Sequence, residues 1–509
     1  MGSFSGEQSK GLLPASTIWA RVAFVFATLS LLWPAFVHGK PFLFDDSSAY
    51  VRVVDAAVYK ATGFSSEWTR PGEVEGFATS ARKGNDPGKA LPASAQTKVD
   101  QNRVPLLGRS VYYGLLAYTS ALTGHFWLLV VCQATIVAAA IFMFLAKGRA
   151  PSDRSQLWYA AIVIVLVGVT STVSFFTSFV MPDIFSGLAI VSVAMLMFPP
   201  DRSRKRTIFW FVLASLAALV HSSHVLIIAA LAGLGALIHA VQRSREWGRV
   251  GLALLAAVIG ICGEVVFAKG VDYAIGSPPV RPPFLTARLI DDGPGLRYLR
   301  EHCAEEQFYA CEFRDRLPQG SDIFLWSPLP SEGVFNTLDP AGKRRLAEEQ
   351  GRFVRSVVLA YPGDVFLSTT GSVLRQLGLM RLSEFRDIDL ADTSNVAVPD
   401  SAKSGLHKPG ALAPYVGTYA NLSLLVALIA LLSLPFLIRA RLVDGRVAAV
   451  IVAGVLVNAV VCGGLSTPHD RYGARVLWII PLLAASALGR LTPAPGNKHR
   501  WRSEAVTTH

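Results

Sequence analysis

Charged residues are scarce in this sequence of 509 residues: they make up 17% of the chain, whereas hydrophobic residues make up 52%. So little charge excludes an intrinsically disordered protein and disfavours a simple soluble domain. The net charge of +12 is typical of a nucleic-acid-binding protein. Most of the basic excess lies between apolar runs, however, so we predict no nucleic-acid partner and interpret these residues as topology signals.

Ten apolar runs divide the sequence, and several approach the ~20 residues that a helix needs to cross a ~30 Å hydrocarbon core. They predict an α-helical polytopic membrane protein with about ten transmembrane helices. The fourth and fifth runs are short for a span. The predicted spans are 18–37, 127–146, 157–176, 184–198, 208–220, 225–241, 250–268, 416–438, 447–465 and 474–488.

Lysines and arginines indicate how the chain crosses the membrane, because cytoplasmic loops carry the basic excess. The short turns on one side hold a single basic residue, Arg471. The connections on the other side hold Lys147, Arg149, Arg154, Arg202, Arg204, Lys205, Arg206, Arg243, Arg245, Arg249, Arg439, Arg441 and Arg446. We therefore expect both termini in the cytoplasm and, for a bacterial inner membrane, an active face in the periplasm.

This threading divides the chain into four parts. Residues 1–268 form a membrane module with seven spans, and its first outer loop, 40–126, is expected to be catalytic. Residues 269–415 form a mainly α-helical domain on the outer face, between spans seven and eight. Three further spans occupy 416–489, and 490–509 form a cytoplasmic tail.

Two interfacial helices are expected in the first outer loop. One follows the acidic pair Asp45-Asp46 and has an apolar face at helical period. Residues 63–102 are rich in Gly, Pro, Ser and Lys and predict an irregular loop. The second interfacial helix is expected over 109–122, with three tyrosines at headgroup depth: Tyr112, Tyr113 and Tyr118.

The cysteines predict one disulfide. Three of the five lie within predicted spans, where cysteine behaves as a small apolar residue. Cys303 and Cys311 both lie in the segment assigned to the oxidising outer side, which favours a local disulfide over two unlinked thiols. A zinc site is disfavoured because only His302 lies nearby and the spacing fits no standard ligand set. We therefore predict no metal site here.

Polar residues that are unusual near a membrane cluster at span ends, and the threading places these ends on the outer face. Several helices therefore present one polar surface. The candidate catalytic residues are the carboxylates Asp45, Asp46 and Asp183. The candidate substrate-binding residues are Arg109, His221, His224, His469, Arg471 and Tyr472.

Each candidate also has a structural interpretation, which the sequence leaves open. The three aspartates precede helices, where a carboxylate can cap backbone N–H groups. His221 and His224 can simply be solvated in a turn, and 469–472 can be a polar loop with an interfacial tyrosine. Arg471 favours the binding interpretation, because the arginine side chain matches the geometry of a phosphate.

The arrangement resembles the GT-C superfamily of membrane glycosyltransferases, which take sugars from polyprenyl-phosphate donors. These enzymes carry an acidic residue just after the first span, at the head of an interfacial helix. The stretch Phe42-Leu-Phe-Asp45-Asp46-Ser-Ser-Ala-Tyr50 matches that position. Many also carry a second acidic residue at the outer end of a later span, which Met181-Pro182-Asp183 resembles.

The resemblance covers mainly the amino-terminal part of the chain, through Asp183 and the span after it. It implies that Asp45 or Asp46 acts as general base toward the acceptor. The large domain between spans seven and eight departs from the more common plan, in which a soluble domain follows the last span. The subfamily and the acceptor therefore stay open.

The physical logic of a lipid-linked donor leads to the same function. Such a donor keeps its tail in the bilayer and its phosphate at the interface, so its enzyme needs cationic groups at that depth and a carboxylate for the acceptor hydroxyl. We therefore predict a membrane glycosyltransferase whose partners are membrane lipid, a polyprenyl-phosphate sugar and an envelope glycan or glycolipid. No further cofactor is predicted, and a divalent metal stays open.

Two other functions stay open as well. A transporter or flippase is expected to show broken helices, polar groups near the bilayer midplane and often repeated halves, and the sequence reveals none of these features. A non-catalytic subunit of an envelope-polysaccharide complex predicts instead that the outer-face aspartates can be replaced without effect.

Overall fold

The computed structural model describes residues 15–64, 66–68, 104–146, 154–317, 320–390 and 410–491. Most of the predicted loop 63–102 and nearly all of the predicted tail 490–509 lie outside these ranges. Within the described residues the secondary structure is helical, with two isolated β-bridges.

The first part of the described chain contains eleven α-helices: α1 (Ala15–Ser30), α2 (Trp33–His38), α3 (Ser47–Thr62), α4 (Val111–Ala121), α5 (Trp127–Leu145), α6 (Arg154–Thr170), α7 (Val173–Thr177), α8 (Ile184–Met197), α9 (Arg204–Val220), α10 (Ser222–Val241) and α11 (Trp247–Ile275). The rest contains α12 (Phe284–Asp291), α13 (Pro294–His302), α14 (Ser321–Trp326), α15 (Pro340–Ala360), α16 (Pro362–Gly378), α17 (Ser383–Leu390), α18 (Ala413–Arg439), α19 (Gly445–Leu465), α20 (Asp470–Leu477), α21 (Ile479–Ala485) and α22 (Leu488–Leu491). Two 3-10 helices cover Tyr309–Arg316 and Phe335–Thr337.

Five of the described helices are long and apolar enough to cross a membrane: α5, α10, α11, α18 and α19. The pair α15 and α16, bent by 108°, adds a sixth if it counts as one broken span. The prediction of an α-helical membrane protein is therefore confirmed. Ten full-length spans are not observed in the described ranges.

The remaining predicted spans are short or interrupted helices. The first breaks between α1 and α2, the third between α6 and α7, and the last into α20, α21 and α22. Every residue of α8 is buried, and its 14 residues extend only about 21 Å at the usual helical rise. The apolar sequence of α8 therefore reflects burial within protein, which the hydropathy of the sequence does not distinguish from contact with lipid.

The helices α3 and α4 lie within residues 40–126, where two helices were predicted, but they pack into the protein. A Cβ atom on Gly114 of α4 would lie 2.5 Å from the Tyr50 backbone oxygen of α3, so only glycine permits this close contact. Tyr113, expected at headgroup depth, is buried, and its hydroxyl donates to Gln133 Oε1 at 3.1 Å. Tyr118 is buried as well.

The chain segment between α11 and α16 supplies most of a second apolar core, which is separate from the core of the membrane helices. Phe324, Phe335 and Phe353 are fully buried within it. The Cys303–Cys311 disulfide predicted from the sequence is present beside this core, with the two Cα atoms 5.8 Å apart. It closes a short loop between α13 and the first 3-10 helix.

The end of the predicted outer-face segment returns to the membrane module. Phe385 of α17 is fully buried, and its ring centroid lies 5.2 Å from that of Phe42 and 4.9 Å from that of Phe179. Before it, α16 packs on the carboxyl end of α19, where a Cβ atom on Gly463 would lie 2.7 Å from the Gln376 Cβ atom. The segment is therefore in contact with the membrane helices through both α16 and α17.

The outward face of α16 predicts a contact with lipid. Phe366, Leu367 and Leu374 are 69%, 69% and 64% exposed, although α16 packs against a helix that is long enough to span the membrane. We expect a fluorophore on Leu367→Cys, in a background without the three free cysteines, to be quenched by nitroxide-labelled lipid in vesicles. The matched label on Gly351→Cys, at an exposed and open position of α15, should not be quenched. Equal quenching at both positions would contradict this placement.

Candidate functional site

A short backbone bridge brings the two acidic motifs together. Phe42 N donates to Ser178 O at 3.0 Å, and Val180 N donates to Phe42 O at 2.9 Å. The Ser47 hydroxyl then donates to Val180 O at 2.8 Å. These contacts tie the chain on either side of Asp45 and Asp46 to the segment that leads into Asp183.

Asp46 occupies the position before α3, but its carboxylate does not cap the helix. It accepts a hydrogen bond from Arg109 Nη2 at 2.5 Å instead. Arg109 is held in place by Ser110, whose hydroxyl accepts from Tyr112 N at 3.2 Å and thereby caps α4. The Asp46 and Arg109 side chains are 23% and 19% exposed, so this ion pair stays partly accessible to solvent. Asp45 is half-buried beside it.

Asp183 is the buried acid of the site. It occupies the position before α8 and does not cap that helix with its side chain. Its Oδ1 lies 3.2 Å from Arg475 Nη1 and 3.8 Å from Arg471 Nε. Asp183, Arg471 and Arg475 are all more than nine-tenths buried, so two guanidinium groups of α20 share one carboxylate inside the protein.

Asn458 of α19 completes this buried network. Its Oδ1 accepts from Arg475 Nε at 3.3 Å and from Arg475 Nη2 at 3.0 Å, and its Nδ2 donates to Tyr472 O at 2.7 Å. Neither Asn458 nor Arg475 was among the residues predicted for the site. Both had a signal in the sequence: Asn458 lies inside an apolar run, and Arg475 lies at the start of one, where a charge is costly.

Arg471 has N–H groups that make no hydrogen bond to any described residue. Its guanidinium carbon lies 4.4 Å above the Phe44 ring and 5.1 Å above the Tyr472 ring, and its Nη2 is 3.4 Å from the Tyr472 hydroxyl. Its Nε and Nη1 are buried without a hydrogen-bond partner in the described part of the chain. Arg109 Nε is in the same state. Buried donors of this kind favour the binding of an acceptor such as a phosphate.

Tyr50 links the two ion pairs electrostatically. It is 1% exposed, and burial raises the pKa of its hydroxyl above the ordinary value. The charges that act on it come from Arg109, Asp46, Asp183 and Arg471, which places both ion pairs around one buried side chain. Tyr50 therefore keeps its proton at neutral pH.

The two histidines lie next to the arginines. His221 Nδ1 accepts from Ser223 N at 3.2 Å at the start of α10, so one ring nitrogen has a structural partner. Burial, followed by the charges of Arg475, Arg109 and Arg471, lowers the pKa of His221 to about 3. The ring is therefore neutral at neutral pH and can take part through hydrogen bonds only.

His224 is fully buried one turn further along α10. Its ring centroid lies 5.2 Å from that of His221, and its Nδ1 lies 2.8 Å from Ala217 O. Its Nε2 has no hydrogen-bond partner among the described residues. The two rings therefore lie together within the electrostatic reach of the guanidinium groups.

His469 lies at the edge of this cluster, in contact with Tyr472. His469 Nε2 pairs with Asp322 Oδ2 at 3.2 Å, and its ring meets the edge of Tyr472 at 5.5 Å. The neighbouring Asp470 accepts from Arg381 N at 3.0 Å and from the Ser383 hydroxyl at 2.7 Å. These contacts tie the turn before α20 to α14 and to the residues around the start of α17.

Among the described residues no group of three or more His, Cys, Asp or Glu side chains is arranged to hold a metal ion. A surface cleft of about 590 Å³ lies in the outer-face segment, and none of the predicted site residues lines it. It is lined by Glu305, Glu306, Gln307, Arg352, Arg355, Ser356 and Leu359.

The buried ion pair predicts a strongly coupled pair of mutations. Removal of one partner from such a pair costs about 3–5 kcal/mol, because the other charge is left buried and uncompensated. Asp183→Asn and Arg475→Met should each lower the melting temperature of the purified protein, and the double variant should lose less than the sum. The exposed pair of Arg314 and Asp315 supplies the control, since Arg314→Met removes a contact worth about 0–1 kcal/mol. Strictly additive losses at positions 183 and 475 would contradict the coupling.

The described site thus combines an accessible acid, Asp46, and a buried acid, Asp183, with five cationic or imidazole side chains: Arg109, Arg471, Arg475, His221 and His224. In this arrangement a bound phosphate would lie beside a carboxylate of the protein. Comparison of the chain with protein-family models, with curated proteins and with solved structures found no match.

Proposed function

We propose that this chain is an integral membrane glycosyltransferase of the GT-C type. It would transfer a sugar from a polyprenyl-phosphate donor to an envelope glycan or glycolipid acceptor. The observation that carries the proposal is the buried guanidinium of Arg471, whose Nε faces Asp183 at 3.8 Å and whose Nε and Nη1 make no hydrogen bond to any described residue, close to the ion pair of Asp46 and Arg109.

The unpartnered N–H groups of Arg471 support the binding of the sugar donor through its phosphate. A phosphate linked to a sugar accepts charge-assisted hydrogen bonds, and arginine presents its donors in the geometry that a phosphate matches. Arg471 is held above Phe44 and beside Asp183, so it is positioned before the substrate arrives. A cation fixed in this way stabilises the charge that gathers on the leaving phosphate.

Asp46 is the better candidate for the general base, with Asp45 next to it. Asp183 is committed to two buried arginines, whereas the Asp46 side chain is 23% exposed. In the proposed step the base takes the proton of the acceptor hydroxyl as its oxygen bonds to the anomeric carbon. The bond from that carbon to the phosphate oxygen breaks, and the polyprenyl phosphate leaves with the electron pair. Arg109 fixes the direction of the Asp46 carboxylate.

The proposed orientation in the membrane rests on the distribution of basic residues. With both termini in the cytoplasm, the site lies on the periplasmic face of a bacterial inner membrane, where the donor phosphate meets the headgroup region. The ten-span threading belongs to this proposal. Helices shorter than a full span, such as α8, would then cross only part of the bilayer beside the longer ones.

One observation favours an alternative function, a transporter for a lipid-linked substrate. The breaks between α1 and α2 and between α6 and α7 are of the kind that transporters use to form binding sites. The two functions differ in product: the glycosyltransferase forms a new glycosidic bond, whereas the transporter releases its substrate unchanged. Incubation of the purified protein with a labelled polyprenyl-phosphate sugar and cell-envelope acceptor distinguishes them.

Replacement of the accessible acids is expected to remove activity without loss of protein. General-base catalysis contributes roughly 10²- to 10⁴-fold, so the true base replaced by asparagine should lower sugar transfer by that factor. We expect this effect for Asp46→Asn, measured as glycan product in cells that lack the native gene and normalised to the protein in the membrane. Asp364→Asn, at an exposed position in the outer-face segment, is the matched control. If Asp45→Asn, Asp46→Asn and the double variant all keep full activity, the base is wrongly assigned.

A further inference from the structure

The connection between α8 and α9 forms a second polar cluster at the opposite end of the bundle from the candidate site. Helix α8 begins directly after Asp183 and ends at Met197, about 21 Å away at the usual helical rise. We name residues 198–203, which follow it, the Phe198 turn. Several basic side chains from four different helices or connections converge on this turn.

The contacts to the turn and to the end of α8 just before it come from α9, α10, α11 and α19. Arg206 Nε lies 3.4 Å from Asp201 Oδ2, and Arg249 Nη1 donates to Leu196 O at 3.4 Å. The His239 ring centroid lies 5.0 Å from that of Phe198. The Arg446 guanidinium lies 5.3 Å from the same ring.

Some of these side chains are buried, and they carry nitrogen atoms that make no hydrogen bond to any described residue. Arg206 is 7% exposed, and its Nη1 has no hydrogen-bond partner among the described residues. His239 is 3% exposed with Nε2 in the same state, and Trp210, one turn after Arg206 on α9, has an unpartnered Nε1. A buried guanidinium N–H without an acceptor is costly, so it indicates a ligand that the protein alone does not supply.

The amino ends of the helices around the turn indicate that this ligand is an anion. Helices α9, α11 and α19 begin at this end of the bundle; Glu246 precedes α11 and Asp444 caps α19, whereas Ser203 precedes α9 and the first turn of α9 has no acidic residue. The first turn of α9 consists instead of Arg204, Lys205 and Arg206, placed at the positive end of the helix dipole. Basic residues are disfavoured there, and an anion bound between them would offset the repulsion.

The carboxylates at this end satisfy only part of the positive charge. Asp201 faces Arg206, Asp444 pairs with Arg446 at 2.8 Å, and Glu246 accepts from both Arg202 and Arg249. Each of these acids already has a basic partner. Among the described residues, the unpartnered N–H of Arg206 and the exposed Arg204 and Lys205 beside it are therefore left for an external anion.

We propose that the Phe198 turn binds the phosphate of an anionic phospholipid. Three of the helices around the turn, α10, α11 and α19, are long enough to span the membrane, so their ends lie at the depth of lipid headgroups. A phosphodiester accepts hydrogen bonds from a guanidinium group and lies well between helix amino ends. This site is independent of the proposed transferase activity and of which membrane face is cytoplasmic.

The test compares two arginines of the same charge at the same end of the bundle. Native mass spectrometry of the full chain should detect bound phosphatidylglycerol, and Arg206→Gln should weaken its apparent affinity about tenfold, which corresponds to about 1.4 kcal/mol. Arg245 is exposed and is not among the residues described above as contacting the turn, so Arg245→Gln should leave the affinity unchanged. Equal losses in both variants would show only diffuse surface attraction and would overturn the proposal.

Two further arms distinguish the source of the phosphate and guard against a misfolded variant. Inorganic phosphate at the same concentration should not compete with phosphatidylglycerol, and full competition would assign the site to a soluble anion. A photoreactive phosphatidylglycerol should label the peptide that contains residues 198–206 in the wild-type protein. Labelling spread evenly over all helix ends would likewise reject a specific site.

Discussion

The buried ion pair between Asp183 and Arg475 is the constraint on which the site depends. Neither charge can stay in the interior alone, so α8 and α20 must keep the geometry that joins them. Asn458 adds two further hydrogen bonds to Arg475 and thereby fixes α19 as well. Arg471 lies four residues before Arg475 on the same face of α20, so the pair also determines where the Arg471 guanidinium lies.

The opposite side of the site is held by a second buried pair. His38 Nδ1 lies 2.6 Å from Asp389 Oδ1, and Asp389 Oδ2 accepts from Leu412 N and Ala413 N at 2.8 Å each. These contacts join the end of α2 to α17 and to the start of α18. The His38 ring stacks on Phe42 at 4.4 Å, and Phe42 carries the backbone bridge beside the acidic pair. The loop that bears Asp46 is thus anchored from several helices that are distant in sequence.

The physical cost of charge near a membrane explains which site residues the sequence could predict. Asp46, Arg109, Asp183 and Arg471 stand out because they interrupt or border apolar runs, and the structure brings all four together. Their partners could not be predicted, because a capping acid and an ion-paired acid occupy the same position before a helix. The disulfide was predictable because its cysteines are close in sequence and separate from the apolar runs.

The number of spans was harder to predict, because hydropathy does not distinguish a helix in lipid from a helix buried in protein. Helix α8 is as apolar as a span but is enclosed on all sides. The breaks after Ser30 and Thr170 likewise depend on tertiary packing that the apolar runs do not encode. The pairing of the His469 imidazole with Asp322 could not be predicted either, because Asp322 belongs to a helix that is distant in sequence.

The most direct test of the site is the binding of polyprenyl phosphate to the purified protein. Native mass spectrometry of the wild-type chain should detect one bound polyprenyl phosphate. Arg471→Gln should weaken this binding about tenfold or more, because it removes the buried N–H groups that make no hydrogen bond to any described residue. Binding that is equally tight in the wild-type and Arg471→Gln proteins would contradict the assignment of this cluster to a lipid-linked phosphate.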